Sequence, residues 1–177
     1  MVTTNDDALA DQVRVLRNQG MRQRYQHVRA GFNWRLTDMQ AALGRAQLPC
    51  YDELVRRRQL HAAMLSMGLA EVPGLVTPRE TPDRRHVWHL YTLRITGASR
   101  LSRDELQAAL ARDRIETAIH YPGSLADIDA YASPVFPPAD VPVARRLASE
   151  VLAVPVHQAL SDADVGHIAE RIRAHLT

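Results

Sequence analysis

The chain has 177 residues, a formal net charge of +2 and a hydrophobic fraction of 46%, which is enough for a core of ordinary size. All 22 basic residues are arginine, so no side chain offers a primary amine, and a lysine Schiff base within these residues is excluded. No apolar run is long enough for a membrane span. The arginines are interleaved with acidic residues and do not form a patch typical of nucleic-acid binding. The single cysteine suits a cytoplasmic protein.

The first part of the chain predicts a strand end, a helix and a loop. Residues 1–4 are interpreted as the end of a strand, and residues 5–7 offer a cap and an acidic first turn for a helix. Apolar residues then recur at helical spacing until Gly20, which supplies a stop. Residues 20–35 have no regular pattern and are interpreted as an irregular loop.

A long helix is predicted over residues 37–70. Thr37 is its cap, with Gln40 three residues later as in a capping box. Pro49 should kink or break this helix, because proline lacks the N–H that the preceding turn needs.

Two features of this helix admit a structural and a functional interpretation. The dense run Arg56–Arg58 is either a solvated helix face, which the sequence favours, or a phosphate-binding patch. Cys50 is either a half-buried structural residue, again the favoured interpretation, or a nucleophilic or redox group.

The rest of the chain alternates between strands and helices. The fold class predicted from this order is α/β (α+β), with a small mixed sheet and helices packed on it. His89 alternates inward on its strand and is interpreted mainly as a core histidine. The elements are a connection over 71–84, a strand over 86–95, a helix capped by Ser102 with Glu105, a strand over 115–120, a loop over 121–142, a helix over 143–150, a strand over 151–156 and a helix capped by Ser161 with Asp164.

Five segments in order carry a resemblance to a known family. The most specific reads GFNWRLTDMQAALGRAQL at 31–48, a Gly-aromatic-Asn-aromatic-Arg run followed by a Thr-Asp helix start. The others are VTTNDDALADQVRVLRNQGM at 2–21, HVWHLYTLRI at 86–95, IETAIHYP at 115–122 and VLAVPVHQALSDADVGHIAERIR at 151–173. Together they resemble the C-terminal half of the DegT/DnrJ/EryC1/StrS family of sugar aminotransferases.

The resemblance implies the C-terminal part of a fold-type I pyridoxal-phosphate transferase. Such enzymes move an amino group, usually from glutamate, onto a nucleotide-linked keto sugar, and they act as dimers. Residues 1–36 would be a remnant of the large cofactor-binding domain, 37–70 a long connecting helix and 71–177 the small C-terminal α/β domain. The first strand would then lack its neighbours, so residues 1–30 are expected to be poorly anchored in the chain alone, or to pair with a second copy.

Two residues match family positions that approach the cofactor phosphate of the neighbouring subunit. Asn33 and Arg35 suit that role, since an arginine fork and an amide both donate to phosphate oxygens. In the alternative interpretation, Asn33 holds its loop through the backbone and Arg35 pairs with Asp38.

Three further residues match family positions near the substrate. His120 and Tyr121 correspond to a His-Tyr-Pro turn, although a structural histidine at a strand end is the alternative. Arg22 lies in a loop that resembles one approaching the sugar nucleotide. The sequence predicts no catalytic residue and no metal ligand in this chain.

The missing lysine divides the predicted function into two hypotheses. In the first, the chain is inactive alone and works with a complementing N-terminal half, and pyridoxal phosphate binds only to that complex. In the second, it is a non-catalytic truncated remnant or an interaction module that binds a related aminotransferase subunit. The expected partners are therefore a complementing half or a second copy, with no nucleic acid and no membrane.

Overall fold

A computed structural model describes residues 2–131 and 139–177. The part of the predicted 121–142 loop that covers residues 132–138 lies outside the described residues. The chain forms two compact units, Met1–Cys50 and Tyr51–Thr177. The domain boundaries placed at residues 36 and 70 from the sequence stay a prediction.

The first unit contains two helices joined by a segment with a short hairpin. The side chain of Asp6 accepts the amide of Leu9 at 3.0 Å and starts the first helix. The predicted capping box between Thr37 and Gln40 starts the second and is confirmed. The elements are α1 (Asp7–Arg17), the antiparallel pair β1 (Met21–Gln23) and β2 (Gln26–His27), and α2 (Asp38–Gln47).

Two predictions for this unit are wrong. Residues 2–4 form no strand, because no other strand of the described chain lies beside them to pair with. Residues 20–35 are not wholly irregular, since β1 and β2 pair between Met21 and His27. Val15 is the only buried apolar side chain among residues 2–50, so this unit has almost no core of its own.

Pro49 interrupts the helical stretch that was predicted over residues 37–70. It lies in a 3-10 turn, Leu48–Cys50, which separates α2 from α3 (Tyr51–Gly68). Proline cannot donate the hydrogen bond that a continuous helix needs at this point. Cys50 is exposed, which corrects its interpretation as a half-buried residue.

The second unit packs helices on a three-stranded sheet in the order β3–β4–β5. Both strand pairs are antiparallel, so the mixed strand directions expected from the sequence are not found in the described residues. The α/β class itself is confirmed. After α3, the elements are β3 (Leu75–Val76), β4 (Tyr91–Ile95), α4 (Arg103–Arg112), α5 (Pro142–Glu150), β5 (Val151–Val154) and α6 (Asp162–Leu176).

One face of the sheet carries the core. Alternate residues of β4, Tyr91, Leu93 and Ile95, are buried, as the period of a strand requires. α3 packs against α6, and α4 contacts both α6 and β5. The two predicted capping boxes of α4 and α6, at Ser102 and Ser161, are both present.

The predicted strand over 86–95 begins only at Tyr91. Trp88 has a φ of +47°, a left-handed conformation that a strand cannot contain. His89 is exposed, which corrects its interpretation as a core histidine. The histidine that is fully buried is His61 of α3, whose Nδ1 lies 3.1 Å from the carbonyl oxygen of His157.

Two other strand boundaries also differ from the prediction. Residues 115–120 form only one bridge, between Ala118 and Ala153, instead of a strand. β5 ends at Val154 instead of Val156, because Pro155 has no N–H to donate. The sequence missed β3, which has two residues and is formed by pairing with the distant strand β4.

The arginine run of α3 is only partly a solvated face. Arg56 pairs with Glu53 at the surface, at 2.7 Å. Arg57 donates to the carbonyl oxygens of Gln158 and Leu160, at 3.2 and 3.0 Å. Arg58 makes similar bonds to the loop before β4. The run therefore holds two loops of its own unit, and the predicted solvated face is corrected for two of its three residues.

Candidate functional site

The segment after the hairpin runs back along the end of α1. The backbone amide of Phe32 donates to the carbonyl oxygen of Leu16 at 2.7 Å, and that of Trp34 donates to the carbonyl oxygen of Arg17 at 3.0 Å. Helix ends leave such carbonyl groups without partners inside the helix, so this segment satisfies two of them. These bonds fix the backbone of residue 33, which lies between them, and of residue 35, which directly follows them.

Two glycines permit this close approach. Gly20 has a φ of +76°, and a Cβ there would lie 1.7 Å from the carbonyl oxygen of Arg29. A Cβ on Gly31 would lie 2.1 Å from the amide nitrogen of Gly20. No larger residue fits either place without moving the backbone. The segment that carries Asn33 and Arg35 therefore depends on both glycines.

Asn33 and Arg35 both contact Asn18, the residue at the C-terminal end of α1. Asn33 forms an antiparallel backbone bridge with Asn18. The guanidinium of Arg35 donates to the side-chain oxygen of Asn18. The alternative pairing of Arg35 with Asp38 is therefore not found, whereas Asn33 does hold its segment through the backbone.

The aromatic residues of the same segment are exposed. The rings of Phe32 and Trp34 stack with their centroids 4.3 Å apart and an angle of 5° between their planes. Their exposed fractions are 53% and 65%. A parallel pair of large apolar rings left largely in water is a feature of surfaces that contact other molecules.

Arg22 and Arg35 lie at one cavity of about 550 Å³ in the first unit. Arg22 also pairs with Asp11 at 2.8 Å, and both of these side chains are about half exposed. The sequence did not single out the other arginines of this cavity, although helical spacing places Arg14 on the same face of α1 as Asp11. The complete lining is Asp11, Arg14, Val15, Arg17, Asn18, Met21, Arg22, Arg35 and Leu36.

His120 and Tyr121 belong to the second unit. They follow the bridge at Ala118 and are joined by a cis peptide bond. Both are exposed, and their rings meet edge to face with centroids 5.6 Å apart. Neither side chain forms a hydrogen bond with the described residues.

A second cavity, of about 330 Å³, lies beside the residues that precede His120. Residues of four segments meet there, including Arg58, His89, Glu116 and His157. The sequence missed this grouping because it depends on the bridge between Ala118 and β5. Among residues 2–131 and 139–177, no group of three or more His, Cys, Asp or Glu side chains is placed to hold a metal ion.

The first cavity fits only part of pyridoxal phosphate. Its arginines are suited to a phosphate group, because guanidinium forks match phosphate oxygens. The cavity has no lysine amine that could bind the aldehyde of the cofactor, because the chain contains no lysine. Within the described residues, no helix combines the length and the apolar character that crossing a membrane requires.

Comparison with known proteins places these features in a family context. A sequence model of the DegT/DnrJ/EryC1/StrS aminotransferase family matches residues 1–173. The chain is 38% identical over 173 residues to the erythromycin biosynthesis sensory transduction protein EryC1 of Saccharopolyspora erythraea, covering 98% of this chain and 46% of that protein. It is 38% identical over 172 residues to the dTDP-3-amino-3,4,6-trideoxy-alpha-D-glucose transaminase of Streptomyces venezuelae, covering 97% and 44%.

The solved structures give the same result. The X-ray structure of S. venezuelae DesV in complex with a ketimine intermediate superposes with a TM-score of 0.86 at 37% identity, covering 97% of this chain and 45% of that one. The aminotransferase TlmJ of Streptoalloteichus hindustanus superposes with a TM-score of 0.81 at 31% identity, covering 97% and 46%. The chain thus spans about half the length of the relatives it matches.

Proposed function

This chain belongs to the DegT/DnrJ/EryC1/StrS aminotransferase family, and on that premise we propose that it is the C-terminal half of a nucleotide-sugar aminotransferase. The reaction would move an amino group from glutamate to a keto sugar carried by a nucleotide. Pyridoxal phosphate, when bound, supplies the aldehyde that carries the amino group. The lysine that holds it must come from outside these 177 residues, which contain none.

The observation that carries this proposal is the pairing of an arginine-lined cavity with the absence of any lysine side chain. In the proposal, Asn33 and Arg35 donate to the cofactor phosphate. Arg22, His120 and Tyr121 bind and orient the sugar nucleotide. No residue of this chain takes a catalytic role, so the chain alone is inactive and binds the cofactor only in complex with a lysine-bearing half. We place this complex in the cytoplasm, as a dimer or a pair of complementary halves.

One observation favours a second candidate, a non-catalytic interaction module. In the first unit, only Val15 is buried among the apolar side chains of residues 2–50. Large apolar side chains of this unit are exposed instead, including Phe32, Trp34, Leu36, Met39 and Leu43. Such a surface suits contact with another subunit. In this alternative the chain binds a related aminotransferase subunit without contributing to catalysis.

The absorbance of pyridoxal phosphate distinguishes the two candidates. It would be recorded with the chain alone, with a separately produced N-terminal half, and with both. We expect a shifted band and amino transfer only when both halves are present. Arg35→Gln should weaken this band, whereas Arg45→Gln, which removes an exposed charge of α2, should leave it unchanged.

The opposite results are equally informative. If the mixed halves associate but show only free-cofactor absorbance, the interaction module is the correct interpretation. If the chain alone shows a bound-cofactor band, the proposal that it depends on a lysine from outside is wrong.

A further inference from the structure

The loop before β4 places a buried tryptophan outside any helix or strand. Trp88 is 6% exposed and belongs to the hydrophobic core of the second unit, yet its φ of +47° prevents it from continuing β4. Its ring lies against that of Tyr91, with the two centroids 5.6 Å apart. The backbone groups of Trp88 lie outside the paired residues of the sheet, so they need hydrogen-bond partners elsewhere.

The partner of the Trp88 amide is an imidazole ring. The backbone N–H of Trp88 donates to Nδ1 of His86 at 2.8 Å. Because an amide N–H can only donate, Nδ1 carries no proton, and the proton of the neutral ring lies on Nε2. The rings of His86 and Trp88 also stack, with centroids 4.0 Å apart and an angle of 28° between their planes. This ring nitrogen is the only acceptor of the Trp88 amide among the described residues.

Charged groups of both signs lie around this histidine. The carboxylate of Glu80, in the same loop, accepts the backbone N–H of His86 at 2.5 Å. From α3, Arg58 donates to the carbonyl oxygen of Trp88 at 2.9 Å, and the side-chain amide of Gln59 donates to that of His86 at 3.4 Å. The other charged residues of the loop are Arg79, Asp83, Arg84 and Arg85. In the described part of the chain only the Trp88 amide bonds to the ring itself, so a proton on Nδ1 acts on that bond first.

We propose that His86 is a pH-sensitive latch for the loop before β4. The neutral ring holds the Trp88 amide, whereas a proton on Nδ1 turns the acceptor into a second donor and leaves that amide without a partner. A buried amide without a partner is unfavourable, so the loop opens more often. Histidine is the side chain that ordinarily changes charge between about pH 5 and 8, so the latch acts near neutrality. The loop also carries His89 and Leu90, which line the second cavity, so its opening changes one wall of that cavity.

Nuclear magnetic resonance of the full, isotope-labelled chain tests the latch without any ligand or partner. At about pH 7.5, spectra of the imidazole nitrogens should show the proton of His86 on Nε2. The protection of the Trp88 amide against hydrogen exchange, corrected for the intrinsic rate, should fall roughly tenfold between about pH 7.5 and 5.5, the usual effect of losing one hydrogen bond. The amide of Leu93, in the core strand β4, should change less than about twofold.

Two substitutions of His86 separate the acceptor from the ring. His86→Asn keeps an acceptor for the amide two residues later, as in an Asx turn, and its side chain does not titrate, so protection of Trp88 should be the same at both pH values. His86→Phe keeps an aromatic ring and removes the acceptor, so protection should be low at both. His89→Asn, at an exposed histidine of the same loop, should keep the wild-type pH dependence. Circular dichroism would verify that each variant is folded.

The inference is overturned if the Trp88 amide of the wild-type chain keeps its protection at the lower pH. It is also overturned if His86→Asn loses as much protection as the wild type, or if Leu93 loses as much as Trp88, since either result would show a general effect of acid. Asp113 does not contribute, because its pKa of about 2 lies far below this range. The inference does not rest on the proposed function, whose failure would appear separately in the absorbance experiment.

Discussion

The guanidinium of Arg171 donates two hydrogen bonds to the carboxylate of Asp113, at 2.9 and 3.2 Å, and so joins the end of α4 to α6. Nε2 of His175 lies 2.7 Å from the same carboxylate. The bond from Arg171 and then the bond from His175 lower the pKa of Asp113 from 3.8 to about 2. Two helices of the second unit are thus linked through one ionised group.

Acid should weaken this link. Because folding lowers the pKa of Asp113, its contribution to stability is fully present above pH 3.8 and is lost as the pH falls through about 2. We expect Asp113→Asn to lower the free energy of unfolding at neutral pH and to flatten its pH dependence in this range. Urea unfolding from pH 7 to pH 2 measures both. Asp83→Asn, at an exposed aspartate outside the cluster, should keep the wild-type slope; an equal effect of both variants would contradict this prediction.

Arg58 should stabilise the loop before β4. Its guanidinium donates to the carbonyl oxygens of Trp88 and His89, at 2.9 and 3.2 Å, so Arg58→Gln should cost about 1–2 kcal/mol. Amide exchange over residues 86–90 should become faster. Arg56, which precedes Arg57 in the same helix, provides the control: among the described residues it bonds only to Glu53, so Arg56→Gln should cost less than about 0.5 kcal/mol. Equal costs for the two variants would show that the loop does not depend on Arg58.

Gly20 should tolerate no side chain. At a φ of +76°, with the oxygen of Arg29 in the place of a Cβ, Gly20→Ala should destabilise its segment by at least roughly 1–3 kcal/mol. Gly44→Ala is the matched control, because nothing lies within 4 Å of a Cβ there and alanine favours the helix by up to about 1 kcal/mol. Faster exchange of the Trp34 amide in the first variant and not in the second would confirm the prediction. Unchanged exchange in both would reject it.

The first unit should be the less stable part of the chain alone. Only Val15 is buried among the apolar side chains of residues 2–50, and little buried area means little hydrophobic stabilisation. We expect the amides of residues 2–30 to exchange faster than those of β4 and β5 by at least about tenfold. Hydrogen exchange followed by mass spectrometry resolves these segments. Uniformly strong protection of residues 2–30 in a monomer would contradict this prediction.

Helix starts were predictable because their signals are local. Ser102, Ser161 and Thr37 each have a partner three residues later, and all three capping boxes form. Short strands were not predictable in the same way. β3 has two residues, and only their pairing with Arg94 and Ile95 makes them a strand. The left-handed backbone at Trp88 likewise has no signal in an alternating apolar pattern.

The candidate site was predictable only in part. Arg22 and Arg35 were named through the family resemblance, and the structure brings both to one cavity. Arg14 and Arg17 were missed because their sequence spacing says only that they end a helix. Their approach to Arg35 depends on backbone bonds from residues 32 and 34, which no local pattern reveals.

The chain contains two tryptophans, and each unit holds one of them. Trp34 is 65% exposed beside Arg35, whereas Trp88 is 6% exposed within the loop that Arg58 holds. Because indole emission shifts to longer wavelength in water, the two residues should have different emission maxima. Replacing either one by phenylalanine would leave a natural optical reporter for a single unit. Ligand binding at the first unit and unfolding of the second can then be followed separately, without any attached dye.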